Sequence, residues 1–136
     1  MDFGTNQILI TGANGWLGKT LIHSLIKGIN NCVGIQKPQK NLLIKCLVLP
    51  GEDVKLISSI SENVKIFTGD ITNQEDCDYF TSKSANSILI HCAGIIHPPN
   101  VKNFFDINVG GAENIINTSI KNKIKKIIAI SSNSPC

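Results

Sequence analysis

Arginine is missing from this chain of 136 residues, since all 13 of its basic side chains are lysines. A protein that binds nucleic acid would be expected to use arginine for bidentate contacts to guanine or phosphate. The formal net charge of +3 is also small. The most clustered lysines are Lys121, Lys123, Lys125 and Lys126, where a helix is expected to end and positive charge is favourable. We therefore predict no nucleic-acid partner.

Long apolar runs are missing as well. The chain has no run of about 18 apolar residues that would predict a membrane span, and no basic-then-apolar leader at its start. Its five cysteines form no C-x-x-C pair and do not have the spacing of metal ligands, which is typical of reduced thiols. We expect a cytoplasmic protein without a membrane segment and without a metal site.

Charged residues make up only 17% of the chain, whereas hydrophobic residues make up 42%. These proportions indicate a globular protein with a large buried fraction. The length is sufficient for one domain with one core, although few complete enzymes are this short. We therefore treat residues 1–136 as one domain.

Short apolar runs alternate with helical patterns along the whole chain. This alternation predicts a parallel sheet that is buried on both faces and has right-handed crossovers. The expected fold class is α/β, a three-layer doubly wound sheet like the Rossmann fold, whose ligands bind beyond the carboxyl ends of the strands. The predicted strands are Gln7–Thr11, Leu42–Leu49, Val64–Thr68, Ser87–His91 and Lys126–Ile130, and the predicted helices are Trp16–Lys27, Val54–Ile60, Glu75–Lys83 and Val101–Lys121.

The longest helical pattern, Val101–Lys121, has an apolar stripe that we predict to face the core. The segment 28–41 is rich in Gly, Pro, Asn and Lys, so that a loop is predicted there. The predicted buried stripe consists of Val101, Phe104, Phe105, Val109, Ala112, Ile116 and Ile120.

A glycine-rich turn, Thr11-Gly12-Ala13-Asn14-Gly15-Trp16-Leu17-Gly18, joins the first strand to the first helix. Gly12 allows a sharp reversal at a positive φ, the missing Cβ of Gly15 leaves room for a pyrophosphate, and Gly18 lets the helix pack on the strand. The helix N-terminus then offers free N–H groups and a partial positive charge to phosphates. The alternative is an ordinary strand-to-helix turn with no ligand, or an unrelated α/β interaction domain.

The G-x-x-G-x-x-G spacing of this turn resembles the short-chain dehydrogenase/reductase superfamily, particularly its extended branch of NAD-dependent epimerases and dehydratases. The resemblance covers nearly the whole chain in family order, but only the cofactor-binding half of a family member, so the fold is expected to be C-terminally incomplete. It implies NAD or NADP as the cofactor. The turn residues expected to bind it are Thr11, Gly12, Asn14, Gly15, Trp16, Leu17 and Gly18.

Three further segments match the family. Gly69-Asp70-Ile71 resembles the adenine-pocket segment, in which the Asp side chain faces the adenine amino group; the alternative is an Asp that caps the next turn. His91-Cys92-Ala93-Gly94 resembles the H-x-A-[AG] element, where the cofactor ribose lies on small residues. The pattern N-x-x-G-x-x-N begins at Asn108, which we predict to bridge backbone groups of neighbouring strands, because a buried amide needs partners. These segments add Asp70, Ile71, Cys92, Ala93, Gly94 and Asn108 to the expected cofactor site.

The end of the second strand, near Leu49, is where the family selects between NAD and NADP. Glu52 and Asp53 follow it and would favour NAD, although a turn and a helix cap explain them equally well. NADP would have to use a lysine such as Lys55. We expect NAD, with NADP as the alternative.

The resemblance assigns one catalytic residue, Ser132, which would hydrogen-bond the reacting oxygen of the substrate. Asn133 and Ser134 replace the acidic pair of the 4,6-dehydratases, which argues against dehydration. The family's Tyr-x-x-x-Lys pair follows the fifth strand, whereas the one such spacing here, Tyr79 and Lys83, precedes the fourth. We interpret it as a coincidence.

The chain is therefore expected to be either the N-terminal part of a longer enzyme or a shortened relative, inactive by itself. The resemblance implies hydride transfer at a secondary alcohol or ketone of a small-molecule substrate, such as a nucleotide sugar. The alternative is a non-catalytic NAD(P)-binding regulatory or scaffold module. A full-length form could be a homo-oligomer.

Overall fold

Five parallel strands form one sheet in the order β3-β2-β1-β4-β5. The computed structural model describes residues 4–32, 36–96 and 98–131. Each strand except the first is preceded by a crossover connection, and the sequence prediction of a doubly wound α/β fold is confirmed. The strands are β1 (Gln7–Thr11), β2 (Leu43–Val48), β3 (Val64–Thr68), β4 (Ile88–His91) and β5 (Lys126–Ala129).

The helices lie within a residue or two of the predicted bounds, except that the last one is interrupted. The middle of this last helix is a π-helix, in which the backbone hydrogen bonds span five residues instead of four. We call Asp106–Gly111 the π segment. The α-helices are α1 (Trp16–Lys27), α2 (Lys55–Ser58), α3 (Gln74–Thr81), α4 (Val101–Phe105) and α5 (Ala112–Lys121), and the described residues of 28–41 form a loop, as predicted.

The sheet separates two clusters of buried side chains, because successive residues of a strand point to opposite faces. Ile8 and Ile10 of β1 pack on the side of α1 and α2. Leu9, between them, packs on the side of α3 and α5, with Phe80 and Ile115. The helices therefore cover both faces of β1, β2 and β4 and leave the carboxyl ends of the strands open at one rim. The predicted burial on both faces is wrong for the edge strand β5, which is largely exposed.

The predicted apolar stripe of the long helix is wrong at four of its seven positions, although Ile116 packs against the cluster on the side of α3 and α5. Val101, Phe105, Val109 and Ile120 are exposed, whereas the buried positions are Gly111, Ile115, Thr118 and Ser119. The hydroxyl groups of the last two donate to carbonyl groups one turn earlier in the same helix. Because these small side chains form their hydrogen bonds within α5, they can pack closely against α3. A search for apolar residues does not find this buried face.

Candidate functional site

The glycine turn after β1 is held in close contact with the loop after β4. Gly12 has φ +63°, and a Cβ there would lie 2.7 Å from the Ala93 backbone nitrogen. At Gly18 a Cβ would overlap the carbonyl oxygen of Gly12 and the backbone of Ala13. Only glycine fits either position, so the chain reverses sharply and α1 starts directly against the end of β1.

Thr11 connects the end of β1 to the neighbouring strand. Its Oγ1 lies 2.6 Å from Nδ1 of His91 and accepts a hydrogen bond from Ala93 N at 3.3 Å. Both side chains are buried, and burial lowers the pKa of His91 below its usual value. Thr11 and His91 therefore hold the backbone of the turn in place, and Thr11 affects a ligand only through the turn that it supports.

A cavity of about 380 Å³ lies at the rim where β1, β2, β3 and β4 end. Four residues that the sequence analysis did not identify also line it: Ile95, Ile107, Leu47 and Val48. Val48 is the last residue of β2, whereas the sequence placed this strand end at Leu49. Of the residues predicted to bind a cofactor, the lining includes Gly12, Asn14, Gly15, Leu49, Asp70, Ile71, Cys92, Ala93 and Gly94.

The N-terminus of α1 borders this cavity, because its N-cap residue, Gly15, is part of the lining. Among the residues that the structure describes, no side chain caps this end, and its first turn has no acidic residue. The N–H groups of the first turn are thus free of side-chain acceptors, and the positive end of the helix dipole is uncompensated. Trp16 and Leu17 belong to this turn; the indole of Trp16 is exposed and Leu17 is half-buried.

Asn14 has a polar atom without a partner. Its Oδ1 is buried and makes no hydrogen bond within the described part of the chain, although Asn14 also lines the cavity. Burying an amide oxygen without a donor costs free energy, typically ~1–3 kcal/mol. A hydrogen-bond donor on a bound molecule would satisfy this atom.

The segment after β3 forms another part of the lining. Asp70 Oδ1 accepts hydrogen bonds from the backbone N–H and the hydroxyl of Thr72, at 2.8 and 2.9 Å. The Asp70 N–H donates to Asp76 at 2.9 Å. Asp70 therefore forms the turn that the alternative interpretation expected, and it also lines the cavity, so that the two roles are compatible.

Asn108, in the π segment, makes a pair of hydrogen bonds with one residue. Its Oδ1 accepts from Ile95 N at 2.8 Å, and its Nδ2 donates to Ile95 O at 2.9 Å. The prediction that it bridges neighbouring strands is wrong, because both partners belong to the loop after β4. Asn108 does not itself line the cavity, but it fixes Ile95, which does.

Acidic side chains shape the turn after β2. Glu52 Oε2 accepts a hydrogen bond from Leu49 N at 3.0 Å, and Glu52 lines the cavity. Asp53 accepts from Lys55 N at 3.0 Å, next to the start of α2, whose N-cap residue is Val54. The local roles expected for these carboxylates are therefore present, and Glu52 in addition places a negative charge beside the cavity.

Tyr79 lies on α3 and is not part of the cavity lining. Its ring is exposed and packs against Phe67, with 5.8 Å between the ring centroids. This position agrees with the interpretation of Tyr79 and Lys83 as a coincidental match. The predicted catalytic residue Ser132, together with His97, Asn133 and Ser134, lies outside the described residues.

A family model named the NAD dependent epimerase/dehydratase family matches residues 8–135. The chain belongs to this family. The resemblance that the sequence analysis stated is thereby confirmed.

Relatives of known sequence extend well beyond the matched region. The chain is 34% identical to the uncharacterized protein y4nL of Sinorhizobium fredii, covering 94% of this chain and 35% of the relative. It is 30% identical to UDP-glucose 4-epimerase of Pisum sativum, covering 97% and 38%. The chain thus spans little more than a third of the length of these relatives.

Among solved structures, Pen from Bacillus thuringiensis has the same fold, with a TM-score of 0.80 and 22% identity. The match covers 98% of this chain and 41% of that one. Within residues 4–32, 36–96 and 98–131, no helix is long and apolar enough to cross a membrane. The same ranges contain no group of three or more metal-ligating side chains.

Proposed function

We propose that the chain binds NAD in the cleft between the glycine turn and the loops after β2, β3 and β4. The observation that carries this proposal is the uncapped N-terminus of α1, whose glycine turn lines the cavity. Free N–H groups at the positive end of a helix are suited to phosphate oxygens. The unpartnered Oδ1 of Asn14 beside the turn supports a ligand that carries hydrogen-bond donors.

In this proposal, each part of the dinucleotide is assigned to a part of the cavity lining. The pyrophosphate would be held by the backbone of Gly12, Gly15 and the first turn of α1. The adenine would lie beside Asp70 and Ile71, since the family uses this segment for that purpose. The small residues after β4 would leave room for the ribose on the nicotinamide side.

Glu52 favours NAD over NADP in this proposal. Its carboxylate lies next to the end of β2, hydrogen-bonded to Leu49, where the family places the adenosine ribose. A carboxylate can accept a hydrogen bond from a ribose hydroxyl, whereas it repels a phosphate. Without any arginine, the chain also lacks the side chain that most often holds the phosphate of NADP.

Trp16 provides a direct test, because it is the only tryptophan and begins α1. Indole emission overlaps the absorption of reduced nicotinamide, so NADH bound near Trp16 should quench it by energy transfer. We expect saturable quenching by NADH, a weaker effect of NADPH, and competition by NAD. Calorimetric titration of the parent chain has no optical signal and therefore no inner-filter effect; no binding of NADH at millimolar concentration in both assays would overturn the proposal.

For the protein as a whole, we infer hydride transfer at a secondary alcohol or ketone, with a nucleotide sugar as the substrate class. The family match and the similarity to a UDP-glucose 4-epimerase support this activity. Ser132 would polarise the reacting oxygen, and a Tyr-x-x-x-Lys pair in a longer chain would transfer the proton. NAD itself would supply the hydride acceptor.

The second candidate is a non-catalytic NAD-binding module. For residues 1–136 it agrees with the position of Tyr79, the only tyrosine among them, which lies on α3 and outside the cavity lining. Tyr79 therefore does not belong to a proton-transfer pair of the family type at the cleft. An active longer form with Tyr-x-x-x-Lys beyond Cys136 would support the enzyme, whereas NADH binding without turnover in the natural full-length protein would support the module.

A further inference from the structure

Two asparagines of one helical stretch are bonded to different loops of the cleft. Asn108 bonds both backbone groups of Ile95, in the loop after β4. Asn114, in α5, donates from Nδ2 to Ile71 O at 3.0 Å and to Thr72 O at 3.2 Å, in the segment after β3. Because β2 and β1 lie between β3 and β4 in the sheet, these loops lie on opposite sides of the glycine turn.

Gly111 adds a packing contact on the same side as Asn114. It is buried at the end of the π segment, and a Cβ there would lie 2.6 Å from Cδ1 of Ile71. The side chain of Ile71 is thus packed against a position where only a hydrogen atom fits. Backbone and side chain of Ile71 are therefore both fixed by the long helix.

Other contacts of this segment use N–H and hydroxyl groups as donors, including those of Thr72 to Asp70 Oδ1, and leave the carbonyl groups at its end to other partners. Gly69 N donates to Val48 O at 2.9 Å, and Asp70 N donates to Asp76. Within the described part of the chain, the other donor to Ile71 O is the thiol of Cys77, at 3.3 Å, and thiols are weak donors. The amide of Asn114 is therefore the main polar contact that fixes the carbonyl groups of Ile71 and Thr72.

We propose that Asn114 and Gly111 are positioning residues for the adenine side of the cleft, and that Asn108 positions only the side formed by the loop after β4. The two halves of the dinucleotide are then held by separate residues of one helix. This inference rests on the proposed function, because it assigns Asp70 and Ile71 to the adenine.

The test compares AMP, which has only the adenine half, with NAD. In Asn114→Ala, calorimetry should show Kd values for AMP and NAD that both rise about tenfold, by the same factor, since two hydrogen bonds are lost. Asn114→Asp, which has the same shape but no amide donor, should lose at least as much. In Asn108→Ala, the Kd for NAD should rise while that for AMP stays within twofold of the parent value.

Thermal unfolding of each variant establishes that the comparison is made between folded proteins. An unchanged Kd for AMP in folded Asn114→Ala would overturn the inference, and so would an equal loss of AMP affinity in both variants. A parent chain that binds neither AMP nor NAD would instead overturn the proposed function.

If the parent chain binds neither AMP nor NAD, amide hydrogen exchange without ligand still tests whether the two asparagines position the two loops. Asn114→Ala should speed exchange at Thr72 and Asn73 at least fivefold and leave Ile95 unchanged, whereas Asn108→Ala should do the reverse. Equal exchange changes in the two loops would overturn the inference whatever the ligand result.

Discussion

Lys45, in β2, is a buried cation that is only 6% exposed. Its Nζ donates to Phe80 O at 2.6 Å and to Ser82 O and Ser84 Oγ at 3.0 Å. It also lies 4.6 Å from the centroid of the Phe67 ring. The ammonium group therefore hydrogen-bonds carbonyl groups at the C-terminus of α3, whose partial negative charge favours a positive group there.

The pH dependence of stability should reflect this burial, which lowers the pKa of Lys45 from 10.5 to about 8. Between these values the unfolded chain binds more protons at this position than the folded chain, so stability rises with pH. Relative to Lys45→Met, the parent chain should gain up to about 3 kcal/mol between pH 8 and 10.5. Urea unfolding of both proteins at several pH values measures this difference, and a constant difference would contradict the assignment.

Gly12 offers a second prediction at the scale of one residue. Gly12→Ala should destabilise the fold by about 2–4 kcal/mol, because the new methyl group overlaps Ala93 and the positive φ is strained. Gly51→Ala is the matched control: Gly51 also has a positive φ, +83°, but nothing lies within 4 Å of its Cβ position. Its cost should be about 1 kcal/mol, measured by chemical unfolding. Equal losses in the two variants would show that the contact with the β4 loop is unimportant.

At the scale of the element, α3 begins at a well-formed cap. The side chain of Asn73 accepts hydrogen bonds from Glu75 N at 2.8 Å and Asp76 N at 3.3 Å. Glu75 and Asp76 also place negative charge in the first turn, which the helix dipole favours. The local sequence thus fixes where this helix starts, one residue before the predicted Glu75.

Removing this cap should weaken the whole domain. We expect Asn73→Ala to lower the free energy of unfolding by about 1 kcal/mol, the usual cost of losing an asparagine N-cap. Asn117→Ala is the control, since Asn117 is exposed within α5 and should lose no cap. Thermal or chemical unfolding gives the comparison; similar stability of the two variants would show that the cap contributes nothing.

The long helix shows why periodicity alone was insufficient for one element. Its buried face contains Gly111, Thr118 and Ser119, which an apolar pattern does not mark. The π segment also breaks the 3.6-residue period between α4 and α5. The strand predictions held better, because each strand is a short, mainly apolar segment whose bounds can be read without a helical period, although Lys45 interrupts β2 and Lys65 interrupts β3.

For the whole molecule, the cleft is built from the ends of four strands, so a ligand bound there should stabilise the complete fold. NADH at about 100 times its Kd should add ~2.7 kcal/mol, or a rise in Tm on the order of 10 °C. NADPH at the same concentration should stabilise less. In Glu52→Gln the rise in Tm with NADPH should come closer to the rise with NADH, because the charge beside the cavity is removed. An equal Tm rise with both cofactors in the parent chain would contradict the role of Glu52.

The sequence by itself determined the α/β class, the bounds of most strands and helices, and the glycine turn, because each depends on residues close together in the chain. Gly12 and Gly18 could be assigned from spacing, since the sharp reversal and the helix start are local. The NAD dependent epimerase/dehydratase family could be inferred from the same motifs in their order along the chain.

Only the tertiary structure decided the partners of polar side chains that reach across the fold. Asn108 bonds Ile95, Asn114 bonds Ile71 and Thr72, and Lys45 reaches the end of α3. These pairs are separated by 13 to 43 residues. Nothing in the local sequence selects one partner over another; packing of the helices on the sheet brings them within hydrogen-bonding distance.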